Sequence, residues 1–149
     1  MKALVVYDTK WGNTEKVAAA VAAGIGKGAQ ALRVDAVAPD AAGNLDLLVL
    51  GSPVLGGKPT KPMQAFLKAI VRTSGTGLRI AVFDTRMKMK FAEKFGFAAD
   101  KMADQLRGQE NTVISEPMGF LVTGQKGPLA EGEEERAAQW GRELLQSKG

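Results

Sequence analysis

Short apolar runs alternate with amphipathic stretches along the whole chain. Ala3-Leu-Val-Val-Tyr7 and Leu45-Asp-Leu-Leu-Val-Leu-Gly51 are β-rich and hardly alternate, the pattern of strands buried on both faces. Arg79 to Asp84, centred on Ile80-Ala-Val-Phe83, reads the same way. Ala31 to Val37 does alternate, with Leu32, Val34 and Ala36 set against Arg33 and Asp35, which predicts a half-exposed edge strand. Thr112 to Glu116 and Phe120 to Thr123 predict a fifth strand broken at Pro117. Between these lie helical stripes with i, i+3, i+4, i+7, i+8 spacing. They are Val17, Ala20, Val21, Gly24, Ile25, then Met63, Phe66, Leu67, Ile70, Val71. A looser stripe of Phe95, Ala98, Ala99, Met102 and Leu106 ends before Gly108, and Ala137, Trp140, Leu144 and Leu145 give the last helix an inward face.

The punctuation agrees. Asn13 or Thr14 is placed to cap the first helix, and Gly26 with Gly28 to end it. Pro39 to Asn44 leaves room for one helical turn, and Pro62 suits the first turn of the next helix. Strands interleaved with helices over residues 1–149, with no linker or repeat, predict one α/β domain whose parallel sheet is covered by helices on both faces. A ligand in such a sheet sits beyond the carboxyl ends of the strands. The loops there are Asp8–Asn13, Ser52–Thr60, Asp84–Lys90 and Gly124–Gly132.

Composition narrows the chemistry. The chain has 149 residues, 45% hydrophobic and 24% charged, with neither cysteine nor histidine. Disulfides, thiolate nucleophiles, Ser-His-Asp triads and imidazole or thiolate zinc sites are excluded. Any redox or group-transfer chemistry therefore falls to a cofactor or to carboxylates, amines and hydroxyls. No apolar run is long enough to span a membrane. The stretch after Met1-Lys2 is too short for a signal-peptide core, so a cytoplasmic protein is expected. The net charge of +4 is modest, but it is unevenly spread. Lys58, Lys61, Lys68, Arg72, Arg79, Arg86, Lys88 and Lys90 stand against Asp84 alone between Gly56 and Lys90, whereas Glu131 to Glu143 is acidic. No aromatic-interleaved basic motif points to nucleic acid.

Tyr7-Asp-Thr-Lys-Trp-Gly-Asn-Thr14 joins the first strand to the first helix. The amides at a helix N-terminus form an anion site that neighbouring hydroxyls complete. The loop is neither a P-loop nor a Gly-x-Gly-x-x-Gly fingerprint, which favours a mononucleotide or simple phosphate over a dinucleotide. A plain cap with a polar turn fits the same residues. Thr9-Lys-Trp-Gly-Asn-Thr14 resembles the flavodoxin phosphate loop Thr/Ser-x-Thr-Gly-x-Thr, with Trp11 in place of the middle threonine. Tyr7 to Lys16 is similar to the flavodoxin module of flavodiiron proteins, and Leu47-Leu-Val-Leu-Gly-Ser-Pro53 resembles the family's third strand and first flavin loop.

The resemblance implies a three-layer α/β/α flavodoxin-like fold of strand order 2-1-3-4-5 that binds FMN. The phosphate would lie on Thr9, Lys10, Trp11, Gly12, Asn13 and Thr14. The ring would lie between Ser52, Pro53, Val54, Leu55, Gly56, Gly57, Lys58 on one side and Asp84, Thr85, Arg86, Met87, Lys88 on the other. The family's usual ring aromatics are missing from both ring loops. Val54, Leu55, Met87 or the Arg86 guanidinium remain to cover the ring, and Trp11 is either near it or packed on the first helix. Gly56-Gly57 permits either a peptide flip or a tight turn. Lys58, Arg86 and Lys88 would favour an anionic reduced flavin. Asp8 reads as a loop brace. The implied function is electron carriage between a reductase and an acceptor, with an acidic redox partner or a small anionic or quinone acceptor. An FMN-dependent oxidoreductase of quinone-reductase or protoporphyrinogen-oxidase type and a flavin-free interaction module are the alternatives.

Overall fold

A computed structural model describes residues 2–26, 28–73, 78–87, 97–107 and 112–146. The elements run β1 (Ala3–Tyr7), α1 (Asn13–Ile25), β2 (Gln30–Arg33), two 3-10 turns (Val34–Ala36 and Pro39–Asn44), β3 (Leu47–Pro53), α2 (Lys61–Thr73), β4 (Arg79–Met87), α3 (Ala98–Arg107), β5 (Thr112–Val113), β6 (Met118–Val122) and α4 (Glu133–Gln146). Every strand pairing is parallel and the order is β2-β1-β3-β4-β5, with β6 also on β4. β5 and β6 together fill the fifth strand position, interrupted around Pro117 as the sequence predicts. This is the flavodoxin-like arrangement of five parallel strand positions in the order 2-1-3-4-5.

The period-2 alternation of the strands divides the core between the two faces. Leu4, Val6, Leu48, Leu50, Ile80 and Val82 meet Met63, Phe66, Leu67, Met102 and Leu106 from α2 and α3. Val5, Leu47, Val49, Ala81 and Phe83 meet Val17, Val21, Trp140 and Leu144 from α1 and α4. Phe83, Phe120 and Trp140 pack edge to face at 5.9–6.0 Å between centroids, a geometry that adds about 0.5–1.5 kcal/mol per pair beyond burial. α1 and α4 cross with almost no gap, since a Cβ at Gly24 would strike the Ala138 carbonyl and one at Gly141 the Val21 carbonyl.

Several boundaries move. β2 stops at Arg33 because its partner β1 offers no register beyond Tyr7↔Arg33, and Val34 enters the core from a 3-10 turn instead. β3 begins at Leu47 and reaches Pro53. β4 continues through Met87, where a basic loop was expected after Asp84, because β6 pairs with Phe83–Met87. Leu145 points outward and is 41% exposed. The edge beyond β6 is not bare: Leu129 bridges Val122 in antiparallel fashion, and Ala130 N–H donates to the Leu121 carbonyl at 2.9 Å. That fold-back covers the edge groups that would otherwise invite pairing with another chain. Among the described residues no helix is long and apolar enough to cross a membrane.

Candidate functional site

The carboxyl ends of β1, β3, β4 and β6 open into one cavity of about 520 Å³. Its floor is the β1–α1 loop. Gly12 precedes α1 with φ +94°, a left-handed turn that glycine adopts without steric cost. Gly12 N–H donates to Thr9 Oγ1 at 2.9 Å, and Thr9 N–H donates to Asp8 Oδ1 at 2.9 Å. No side chain caps α1, which corrects the expectation for Asn13 and Thr14. Both already lie inside the first turn. Thr14 instead shares a 2.8 Å hydrogen bond with Thr85 Oγ1, and the Asn13 amide lies where a Cβ on Gly127 would be. The N-terminal amides of a helix without a cap are left to meet an anion.

Asp8 is the brace that the sequence suggested. It is buried, and besides Thr9 it accepts a 2.5 Å bond from Thr60 Oγ1. Thr60 in turn accepts from Met63 N–H in the first turn of α2 at 3.3 Å. Ser52 Oγ accepts from Thr60 N–H at 3.0 Å and donates to the Pro53 carbonyl at 2.9 Å. The β1–α1 and β3–α2 loops are thereby joined by side chains that are themselves buried.

The β3–α2 loop leaves β3 and folds into a tight turn. Leu55 and Lys58 exchange backbone hydrogen bonds of 2.8 and 3.1 Å across Gly56 (φ +59°) and Gly57 (φ +80°). Two successive positive φ angles match a type I′ turn, which favours glycine at both positions. Val54 N–H donates to the Thr85 carbonyl at 3.2 Å, tying this loop to the end of β4.

The end of β4 carries the densest electrostatics. Asp84 is fully buried. Arg86 forks onto it, Nε to Oδ1 at 2.6 Å and Nη2 to Oδ2 at 2.9 Å, and Ala99 N–H in the first turn of α3 donates to Oδ2 at 2.9 Å. The guanidinium stacks 3.6 Å over the Phe97 ring, and a Cβ at Gly119 would strike it. Burial pushes the Asp84 carboxyl above its ordinary value, against the pull of Arg86 and the Ala99 amide. Arg86 is therefore not the bare cation expected beside the ring.

Of the predicted residues, Thr9, Lys10, Trp11, Asn13, Thr14, Pro53, Val54, Leu55, Gly56, Thr85, Arg86 and Met87 line the cavity. Gly12, Ser52, Gly57 and Asp84 stand behind that surface as turn formers and braces. Lys88 lies outside the described residues. Val122 and Gln125 complete the lining. Val122 ends β6 and Gln125 belongs to the fourth loop that the topology placed at this end, but no motif marks either. Trp11 is the aromatic residue of the lining, with Lys10 Nζ 4.8 Å from its ring centroid. The lining thus has a polar pole of helix amides, hydroxyls and Lys10, and an apolar wall of Val54, Leu55, Met87 and Trp11. A phosphate-bearing ligand with a flat apolar body fits that division.

The sequence profile of the family described as "Flavodoxin domain" matches residues 4–124. No curated protein sequence gives a significant match. Among solved structures, oxidised flavodoxin 1 from Bacillus cereus is 21% identical, with both chains covered in full and a TM-score of 0.82. A flavodoxin from the domain Archaea is 23% identical over 98% of this chain and 97% of its own, also at 0.82. A flavodiiron core from Synechocystis is 19% identical over 98% of this chain but 35% of its own, at 0.79. At these identities the structural likeness speaks for the fold.

Proposed function

The chain belongs to the flavodoxin domain family, and from that premise we propose that it holds FMN in the cavity at the carboxyl end of the sheet and carries electrons between a reductase and an acceptor. The observation that carries this reading is the uncapped N-terminus of α1 behind Gly12, opening into a cavity whose other wall is apolar. The phosphate would be held by the amides of the first turn of α1, by the Thr9 hydroxyl, whose proton is still free to donate, and by the exposed Lys10. Val54, Leu55, Met87 and Trp11 would exclude water from the ring. The bound flavin would supply the electron chemistry; no side chain is required as acid or base.

The rim supports a reading of the partner. Lys10 on the cavity lining and Lys58 at the end of the Leu55–Lys58 turn are exposed, as is Leu55 (37%). An exposed apolar side chain accompanied by two exposed cations suits an acidic redox protein, steered to this end by its charge. The same cations favour a second reading, an FMN-dependent oxidoreductase acting on a small anionic or quinone acceptor.

The test is the visible absorption spectrum of the purified protein, before and after adding FMN and removing the excess. Retained flavin bands are expected. A colourless protein that takes up no FMN overturns the proposal and leaves an interaction module on the same fold. Steady turnover of a quinone by the loaded protein would select the enzyme over the carrier.

A further inference from the structure

Arg86 lines the cavity, yet two of its nitrogens and one face of its guanidinium are committed elsewhere. Nε and Nη2 are forked on Asp84, and the plane lies 3.6 Å from the centre of the Phe97 ring. Nη1 is the nitrogen that makes no hydrogen bond among the described residues. Asp84 is fully buried and Arg86 only 19% exposed, so solvent screens the pair little. Gly119 contributes by what it lacks, because any side chain there would displace the guanidinium. These four residues come from β4, β6 and the start of α3, and they fix one arginine at one place on the cavity wall.

We propose that Asp84 sets the charge of the cavity wall: it holds Arg86 in a fixed pose and cancels its charge, so that a bound cofactor meets a rigid hydrogen-bond donor without a net cation. This rests on the FMN reading above and goes beyond it. Asp84 is a positioning residue here, acting through Arg86. An uncompensated guanidinium would favour a more negative, reduced cofactor. A forked pair presents mainly a dipole, and its donor geometry can still select a carbonyl or anionic edge.

The experiment compares wild type, Asp84→Asn, the double variant Asp84→Asn/Arg86→Gln, and Gly119→Ala. It reads the FMN dissociation constant by flavin fluorescence, the midpoint potential by redox titration and the fold by circular dichroism. Asp84→Asn should raise the midpoint by roughly a tenfold change in the ratio of reduced to oxidised binding, about 59 mV for a one-electron couple. The double variant, neutral again, should return towards the wild-type midpoint. Gly119→Ala keeps both charges and should bind FMN several-fold more weakly with little change in midpoint. A folded, FMN-loaded Asp84→Asn with an unchanged midpoint overturns the proposal. If Asp84→Asn does not fold, wild-type affinity in Gly119→Ala overturns it instead. A wild type that takes up no FMN defeats the functional reading itself, and this inference with it.

Discussion

Two carboxylate–arginine pairs meet at Gly119 of β6, and they differ mainly in their access to water. Asp84 and Glu133 each accept a fork from an arginine, Arg86 and Arg136, and each also accepts a backbone N–H, from Ala99 and Leu121 respectively. Glu133 opens α4 while Asp84 sits in β4 with its carboxylate against the first turn of α3, and each guanidinium lies over a phenylalanine ring, at 3.6 Å for Phe97 and 4.5 Å for Phe120. Arg86 packs where a Gly119 side chain would be, while Arg136 donates to the Gly119 carbonyl. Yet the side chains of Asp84 and Arg86 are 0% and 19% exposed, against 10% and 41% for Glu133 and Arg136. The outcome reverses. Burial pushes the Asp84 carboxyl up despite its partner, whereas the Arg136 hydrogen bonds pull Glu133 down despite some burial. Near-identical ligation does not fix the ionisation of a carboxylate; desolvation decides how much of the attraction survives.

The largest test of that contrast removes each arginine. Arg86→Ala leaves a buried carboxylate without its partner and should cost about 3–5 kcal/mol at neutral pH, read as a drop in urea midpoint at constant m-value. The cost should shrink as pH falls and Asp84 takes up a proton. Arg136→Ala opens a pair that is partly in water and should cost about 1 kcal/mol or less. Equal losses would mean that exposure is not the variable that separates the two.

A smaller effect has opposite signs at the two sites. Glu133 has a folded value below its ordinary 4.5, so the unfolded chain binds the extra proton in acid. Its contribution is present above that value and is lost as pH falls through the lower folded one. Glu133→Gln should therefore flatten the acid limb of the stability curve and converge with wild type at low pH. Asp84 has a folded value above 3.8, so the folded chain keeps a proton that the unfolded chain has released. Its contribution to stability falls as pH rises through the window above 3.8, and Asp84→Asn should remove that fall. Chemical denaturation from pH 3 to pH 8 separates the two slopes, and slopes of the same sign would contradict the assignment.

Only one of the two pairs is legible as local sequence. Glu133 and Arg136 sit three apart on a helix, a spacing that brings them together without tertiary information. Asp84 and Arg86 sit two apart, which brings side chains together only on a strand. The apolar run ends at Phe83, so the pattern turns Thr85 to Lys90 into a loop and hides the contact. β4 runs on to Met87 because β6 pairs beside it, a long-range event. The same limit explains β2, whose alternation continues to Val37 although β1 stops offering partners at Arg33. Helix faces and the loops around the cavity were legible because hydrophobic period and topology determine them together, whereas the strand order came only with the resemblance of the first loop to flavodoxins. Trp11 in the first loop and the absence of aromatics from the ring loops could also be read directly. That the Thr14 hydroxyl would bond Thr85 rather than cap α1 could not, because the two lie 71 residues apart.

The finest prediction concerns salt. At about 1 M the screening length is only about 3 Å, so a pair in contact with water loses much of its attraction while a buried one keeps it. The cost of Arg136→Ala, measured as the difference from wild type in the same buffer, should fall by a few tenths of a kcal/mol between low and high salt, the scale of an exposed pair. The cost of Arg86→Ala should hold constant within error. Taking differences removes the general effect of salt on burial, which acts on both proteins alike. If the Arg86 cost fell as much as the Arg136 cost, water would be reaching Asp84 through the cavity, and that cavity wall would be less dry than its packing against Phe97 and Gly119 requires.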